Sequence, residues 1–162
     1  MKANKLLFAN KDYVLEGELS FEDAVLDPNH IRKILPASYK VTGQVFDDLL
    51  LLHFDIKATV IGVCCYSLED VELPIHIVDD IQISDTIDDD DHIYYEPNII
   101  FDIDPYILSL IIASVPIKIV KKGAKLPDSG EGYRVLSEEE YLKEQASKKD
   151  SRWAALDDIE LD

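Results

Sequence analysis

Cysteine is nearly absent: the 162 residues hold two, Cys64 and Cys65, and these are adjacent. Neighbouring thiols cannot staple distant segments, so no disulfide framework is expected and a reducing cytoplasm is the simplest setting. Glycine is scarce, at six. None lies in a phosphate-cradling loop, a dinucleotide fingerprint or a Gly-x-Ser-x-Gly elbow. Long apolar runs are missing too. The longest, Ile107 to Val115, is far short of the ~20 residues that span a bilayer. Met1 to Asn10 holds only Leu6-Leu7-Phe8, where an export signal needs about 7–15 apolar residues in a row. The expectation is a soluble protein with no membrane partner.

The scarcest commodity is positive charge. Lys and Arg number 16 against 33 Asp and Glu, a net charge of −17. This disfavours a sequence-independent grip on nucleic acid, which relies on clustered cations to release counterions from phosphates. From Ala58 to Ile117 there is no Lys or Arg at all, yet there are thirteen acids. They include Glu69, Asp70, Asp85, the run Asp88-Asp89-Asp90-Asp91, Asp102 and Asp104. Such a block reads either as a solvated stretch that keeps the chain soluble or as a docking face for a basic companion.

What is present reads as one α+β domain over residues 1–146 followed by a polar tail, 147–162. Apolar residues make up 47%, enough for a core. Leu49 to Ser67 alternates, with Phe54, Ile56, Ala58, Val60 and Gly62 on one face and Asp55, Lys57 and Thr59 on the other. Val71 to Ser84 repeats the pattern, and the short link Leu68-Glu69-Asp70 predicts an antiparallel hairpin. Lys40 to Asp47 alternates more loosely, with Asp47-Asp48 as a turn. Ser20-Phe21-Glu22-Asp23 resembles a capping box and predicts a short helix through Leu26. A longer helix is predicted from Pro105 to Val115, capped by Asp104, with Leu108, Ile111, Ile112 and Val115 as its buried stripe. Ser137-Glu138-Glu139-Glu140 is a second capping box and predicts another helix. The expected architecture is a mostly antiparallel curved sheet with two or three helices on or beside it, the Pro105 helix covering one face.

Candidate chemistry is thin. Asp88 to Asp91 with His92 supplies hard oxygen ligands, but a calcium loop of the helix–loop–helix type needs glycine at its sixth position, and Ile93 stands there. Cys64 and Cys65 point to opposite faces if they lie in a strand. No second cysteine pair completes a zinc site, so Cys64 reads as a structural thiol, and no metal or other cofactor is expected. The histidines at 30, 53, 76 and 92 are scattered. A metal-dependent enzyme using Asp88, Asp102 and Asp104 is the rival from another class. Tyr94, Tyr95 and Phe101 are flanked by acids that would repel phosphates, which favours core packing or protein contact over base stacking. Arg152-Trp153 combines residue types enriched at interface anchors, unless Trp153 packs back on its own core.

Two of these stretches together resemble one family. Cys64-Cys65-Tyr66-Ser67-Leu68-Glu69-Asp70-Val71, with Pro74 beyond, is similar to the Cys-x-Arg-(Cys/Thr)-Leu-Glu-x-Val segment of the YceD family, and Asp150-Ser151-Arg152-Trp153-Ala154-Ala155-Leu156 to its closing Asp-Pro-Arg-x-x-x-Leu motif. The chain departs from the pattern at Tyr66, Ser67 and Ser151. Lys118 to Lys149 has no cysteine, so the metal site suggested by the cysteine-rich segment of many relatives does not carry over. Cys64, Leu68, Glu69 and Asp150 then become structural motif positions. The resemblance implies a bacterial cytoplasmic protein needed for 23S ribosomal RNA accumulation and large-subunit assembly, without known catalysis. Joined to the charge, it leads us to expect a non-enzymatic assembly factor that docks a basic ribosomal or assembly protein through Asp88 to Asp91, Tyr94, Tyr95, Arg152 and Trp153. Contact with rRNA would then be indirect. A direct RNA binder would have to use Lys118 to Lys125 and Lys143 to Arg152.

Overall fold

Two fifteen-residue strands, β5 (Leu49–Val63) and β6 (Asp70–Ser84), form the spine of the protein, paired antiparallel along their whole length from Leu49 opposite Ser84 to Val63 opposite Asp70. They are preceded by β1 (Lys2–Asn4), a 3-10 helix (Lys5–Ala9), β2 (Val14–Leu19), β3 (Ile31–Ile34) and β4 (Ala37–Phe46). Beyond them come β7 (Ile93–Tyr95), β8 (Ile100–Asp102), α1 (Asp104–Ser114) and α2 (Glu138–Ser147). The computed structural model describes residues 1–10, 12–46, 49–87 and 93–147. The expected Asp47-Asp48 turn lies outside them.

The fold is α+β, as expected: a curled, mostly antiparallel sheet with two helices. The sheet runs β2-β4-β5-β6-β7, and β3 takes over from β4 alongside the far half of β5. Only β7 joins parallel, on β6. A small second sheet pairs β1 with β8 antiparallel. Contacts divide the chain into Met1–Lys121, which holds both sheets and α1, and a unit from Lys122 onward. In that second unit, the expected capping box forms: the Glu140 amide donates to Ser137 Oγ at 3.2 Å and the Ser137 amide to Glu140 Oε2 at 2.8 Å. That double contact holds the Glu140 carboxyl below its ordinary range. No residue of α2 is buried.

Alternation along β5 decides which side becomes core. Leu50, Leu52, Phe54, Ile56, Ala58 and Val60 are buried, whereas His53 and Lys57 between them are exposed. Onto that face pack Phe8, Ile103, Ile107, Ile111, Val115 and Ile119. The helix α1 is thus buried on a 103-107-111-115 line, and Ile112 of the expected stripe is 40% exposed. With apolar residues on nearly every side of α1, its periodicity could not locate the buried face. Asp104 is also not the cap. Ile103 holds that position without a side-chain bond, and Asp104 opens the helix with its carboxylate on the amino group of Met1. The short helix expected at 21–26 does not form. That stretch is a turn held by the Ala24 amide on the Phe21 carbonyl at 3.1 Å, because so few residues before Asp27-Pro28 cannot repay helix nucleation.

Gly43 shows how tightly Phe8 seats. A Cβ there would lie 2.8 Å from Phe8 Cδ1 and 3.0 Å from Leu52 Cδ2, and Phe8 is wholly buried. The substitution G43A is expected to cost about 1–3 kcal/mol through overpacking, lowering the melting temperature by roughly 3–10 °C. Thermal unfolding followed by circular dichroism checks this; an unchanged transition would mean that Phe8 moves aside freely.

Candidate functional site

The long hairpin separates two places of interest. Fourteen steps of strand between Leu49 and Val63 trace about 45 Å of backbone, so the two ends of β5 and β6 are far apart along the curled sheet.

At one end the link Cys64–Glu69 closes the hairpin. The Cys64 amide donates to the Glu69 carbonyl at 2.9 Å, and the Leu68 amide to the Cys64 carbonyl at 2.9 Å. Leu68 adopts a left-handed backbone at φ +57° while its side chain is 70% exposed, so no packing offsets the conformational cost. Residues before and after the hairpin clasp it. The Cys65 amide donates to the Ile119 carbonyl at 2.8 Å, Lys121 Nζ to Glu69 Oε2 at 3.2 Å, and Arg32 Nε meets Asp70 at 2.6 Å. Lys118 lies 5.3 Å from the Tyr66 ring centre. Cations from outside the acidic block therefore balance its first acids, and the turn is a structural clasp with little net charge.

Cys64 is the buried centre of this clasp. The Lys121 amide points at its sulfur from 3.3 Å and, with contacts from Ser67, pulls the thiol down to about 7 against the opposing effect of burial. Its neighbour Cys65 is exposed. Iodoacetamide at neutral pH should therefore label Cys65 alone in the native protein and both thiols after unfolding, as read by peptide mass spectrometry. Rapid native labelling of Cys64 would show that the clasp opens. Glu69 carries a second test. Lys121 holds its carboxyl below the ordinary range, with Ser67 assisting, so its ionised form favours the folded state. That contribution is present at neutral pH and is lost as pH falls through the lowered value. E69Q is expected to melt earlier than the unsubstituted chain at pH 7 and together with it in acid; equal melting at pH 7 would dismiss the pairing as inert.

The middle of the sheet carries mixed charge. On the face away from the core, His53 Nδ1 lies 2.7 Å from Asp80 and His76 Nε2 lies 2.8 Å from Asp55, two cross-strand contacts between β5 and β6. Chiefly through His76, Asp55 is held below its usual range. Two further acids, Asp102 and Asp104, converge on the amino group of Met1. Asp104 Oδ1 is buried without a hydrogen-bond partner.

The sixty-residue acidic block consequently does not form one continuous face. Among the described residues Glu72 and Asp79 on β6 form no ion pair, and neither does Asp85 where β6 runs out. Here Tyr94 and Tyr95 stand on β7, each about half exposed, with Tyr94 edge-on to Tyr106 at 5.4 Å between ring centres. Tyr95 follows Tyr94 at the parallel edge, and the Glu96 amide donates to the Ser84 carbonyl at 2.8 Å. Beside them the 3-10 helix, β4, β5 and β6 enclose a hollow of 240 Å³ lined by Lys5, Leu6, Ala9, Val45, Leu49, Leu50, Ile83 and Asp85. No motif marks this hollow, because its walls come from three separated stretches of the chain.

The expected partner residues Asp88, Asp89, Asp90, Asp91, Arg152 and Trp153, and the motif residue Asp150, lie outside the described residues. Of the sites expected from sequence, the structure keeps Tyr94 and Tyr95 together and puts Cys64, Leu68 and Glu69 at the opposite end. Among the described residues no three His, Cys, Asp or Glu side chains are grouped to hold a metal ion, and no helix is long and apolar enough to cross a membrane.

A family comparison gives the protein's class. The model of the family described as "Large ribosomal RNA subunit accumulation protein YceD" matches residues 52–160, from within β5 almost to the last residue. The chain belongs to the YceD family, whose name ties it to the accumulation of large-subunit ribosomal RNA. No curated protein and no solved structure matches the chain.

Proposed function

We propose that this protein is a non-enzymatic factor of the bacterial cytoplasm that promotes 23S rRNA accumulation and large-subunit assembly by holding a basic ribosomal or assembly protein at its acidic end. Family membership supports the role in rRNA accumulation. The mechanism rests on one observation: Glu69 and Asp70 of the 58–117 block are paired with Lys121 and Arg32 at the Cys64–Glu69 turn, whereas Asp85, near the exposed tyrosines, forms no ion pair with a described residue. An unbalanced acidic end beside exposed tyrosines attracts and orients a cationic protein, and it would shield that protein until it is placed on RNA. Asp88 to Asp91 extend this acidity along the chain, and Arg152-Trp153 supplies a second contact of the kind that anchors interfaces. RNA enters through the partner. Direct binding through Lys118 to Lys125 has less support, since Lys121 is already engaged with Glu69.

The test is affinity purification with quantitative mass spectrometry, comparing the unsubstituted chain with D88N/D89N/D90N/D91N. Recovery of small basic large-subunit proteins is expected to fall about fivefold or more, and equal recovery would overturn the docking mechanism. Purified protein should bind rRNA weakly at every salt concentration. Tight binding that collapses steeply with salt would favour direct RNA contact instead. A melting temperature raised by magnesium, calcium, manganese or zinc would favour the metal-dependent enzyme built on Asp88, Asp102 and Asp104.

A further inference from the structure

Strand β6 keeps an open edge. One side of it pairs with β5 throughout, but β7 covers the other only from Gln82 to Ser84. The Glu96 amide donates to the Ser84 carbonyl at 2.8 Å, so the backbone groups of Ser84 point away from β5. Alternation gives the same direction to Glu72, Pro74, His76, Val78 and Asp80. Pro74 fits this parity, since its missing N–H then costs no bond to β5. The Asp80 amide is taken by the Asp79 carboxylate at 2.8 Å. Between those two positions the amides of His76 and Val78 and the carbonyls of Pro74, His76 and Val78 have no hydrogen-bond partner among the described residues. The stretch lies open: Val78 is 59% exposed, and Pro74 and His76 are exposed as well.

The charges along this edge select what can pair with it. Glu72 precedes the open stretch and Asp79 closes it, and neither forms an ion pair among the described residues. No Lys or Arg occurs on β6, on β7 or on α1, which packs against β6. Lys57 of β5 stands opposite His76, at the middle of the stretch, where it disfavours a cation at the centre of an incoming segment. Toward the core, Leu73 and Ile75 are only partly buried and leave apolar surface beside the unpaired backbone. Open strand edges take up extended segments through main-chain hydrogen bonds, and the side chains alongside set the specificity. Opposite charges across neighbouring strands stabilise the pairing, and like charges oppose it. We infer that the edge from Pro74 to Asp80 receives, as an added strand in line with β7, an extended partner segment with an uncharged, β-branched centre and Lys or Arg at both ends. This rests on the basic-partner reading and adds how the partner is held. Charge alone attracts any cationic chain, whereas main-chain pairing demands one that can lie extended.

The experiment uses the full chain and a fluorescein-labelled peptide, Lys-Lys-Val-Thr-Val-Thr-Val-Lys-Lys, read by fluorescence anisotropy at low salt. A second peptide of the same sequence is N-methylated at its three central residues, which removes backbone donors from both of its edges and keeps its charge. The first should bind about tenfold tighter, the scale of one or two backbone hydrogen bonds. It should also slow exchange of the His76 and Val78 amides, followed by two-dimensional NMR. In V78P, which removes an outward amide as Pro74 already does, the preference should shrink to about twofold or less, while the methylated peptide binds as before. If circular dichroism shows V78P unfolded, amide exchange in the unsubstituted chain decides alone. Equal binding of the two peptides, a preference that persists in folded V78P, or unchanged exchange at His76 and Val78 would overturn the edge inference and leave the basic-partner reading standing. So would slow exchange of both amides in the chain without peptide, the sign that its own tail or a second copy already fills the edge. Failure of both peptides to bind at low salt would overturn both.

Discussion

The pairing of β5 with β6 is the interaction on which the rest of the molecule depends. Fifteen residue pairs run without a break from one end to the other, and β3, β4 and β7 attach to one or other of these two strands. The alternation of β5 separates a greasy face for Phe8 and α1 from a polar one for the His–Asp contacts. Joining the strands by only a few residues keeps the entropy of closing the hairpin small. A one-residue slip between them would turn Phe54 and Ile56 into solvent and His53 into the core, so register here is strongly specified.

The charge distribution follows from that geometry. Acids spread over sixty consecutive residues become, in space, a paired turn, a sheet strand on which Asp80 meets His53 while Glu72 and Asp79 form no ion pair, and the Asp85 end. Arg32 and Lys121, which lie outside the block in sequence, return to its first acids through the strand pairing of β3 and the path of the chain after α1. Self-repulsion from a net charge of −17 is thereby relieved where the turn must be tight. Linear charge counting located the block but not this division of it.

Legibility in the sequence tracked how local each cause is. The long strands, the hairpin and the α2 capping box could be read because period-two alternation and a Ser-x-x-Glu pattern act between near neighbours. The same logic misled at Ser20 to Leu26, where the local signal for a helix was sound but the segment was too short to sustain one. β1 and β8, at three residues each, are defined by each other from far apart in the chain, and β7, equally short, pairs only with the end of β6; none carries a pattern of its own. Asp104 left its expected capping role because an amino group more than a hundred residues earlier in the chain competes for its carboxylate. The apolar hollow was illegible for the same reason: Leu6, Val45 and Ile83 become neighbours only after the sheet has formed.

The unbroken length of the spine has a mechanical corollary. A two-stranded ladder with its single interior glycine on β5, Gly62, almost at one tip keeps the clasped turn and the Asp85 end at opposite ends of the same continuous pairing. The backbone path between them is about 45 Å, a length set by residue count and thus unaltered by any substitution that leaves strand length alone.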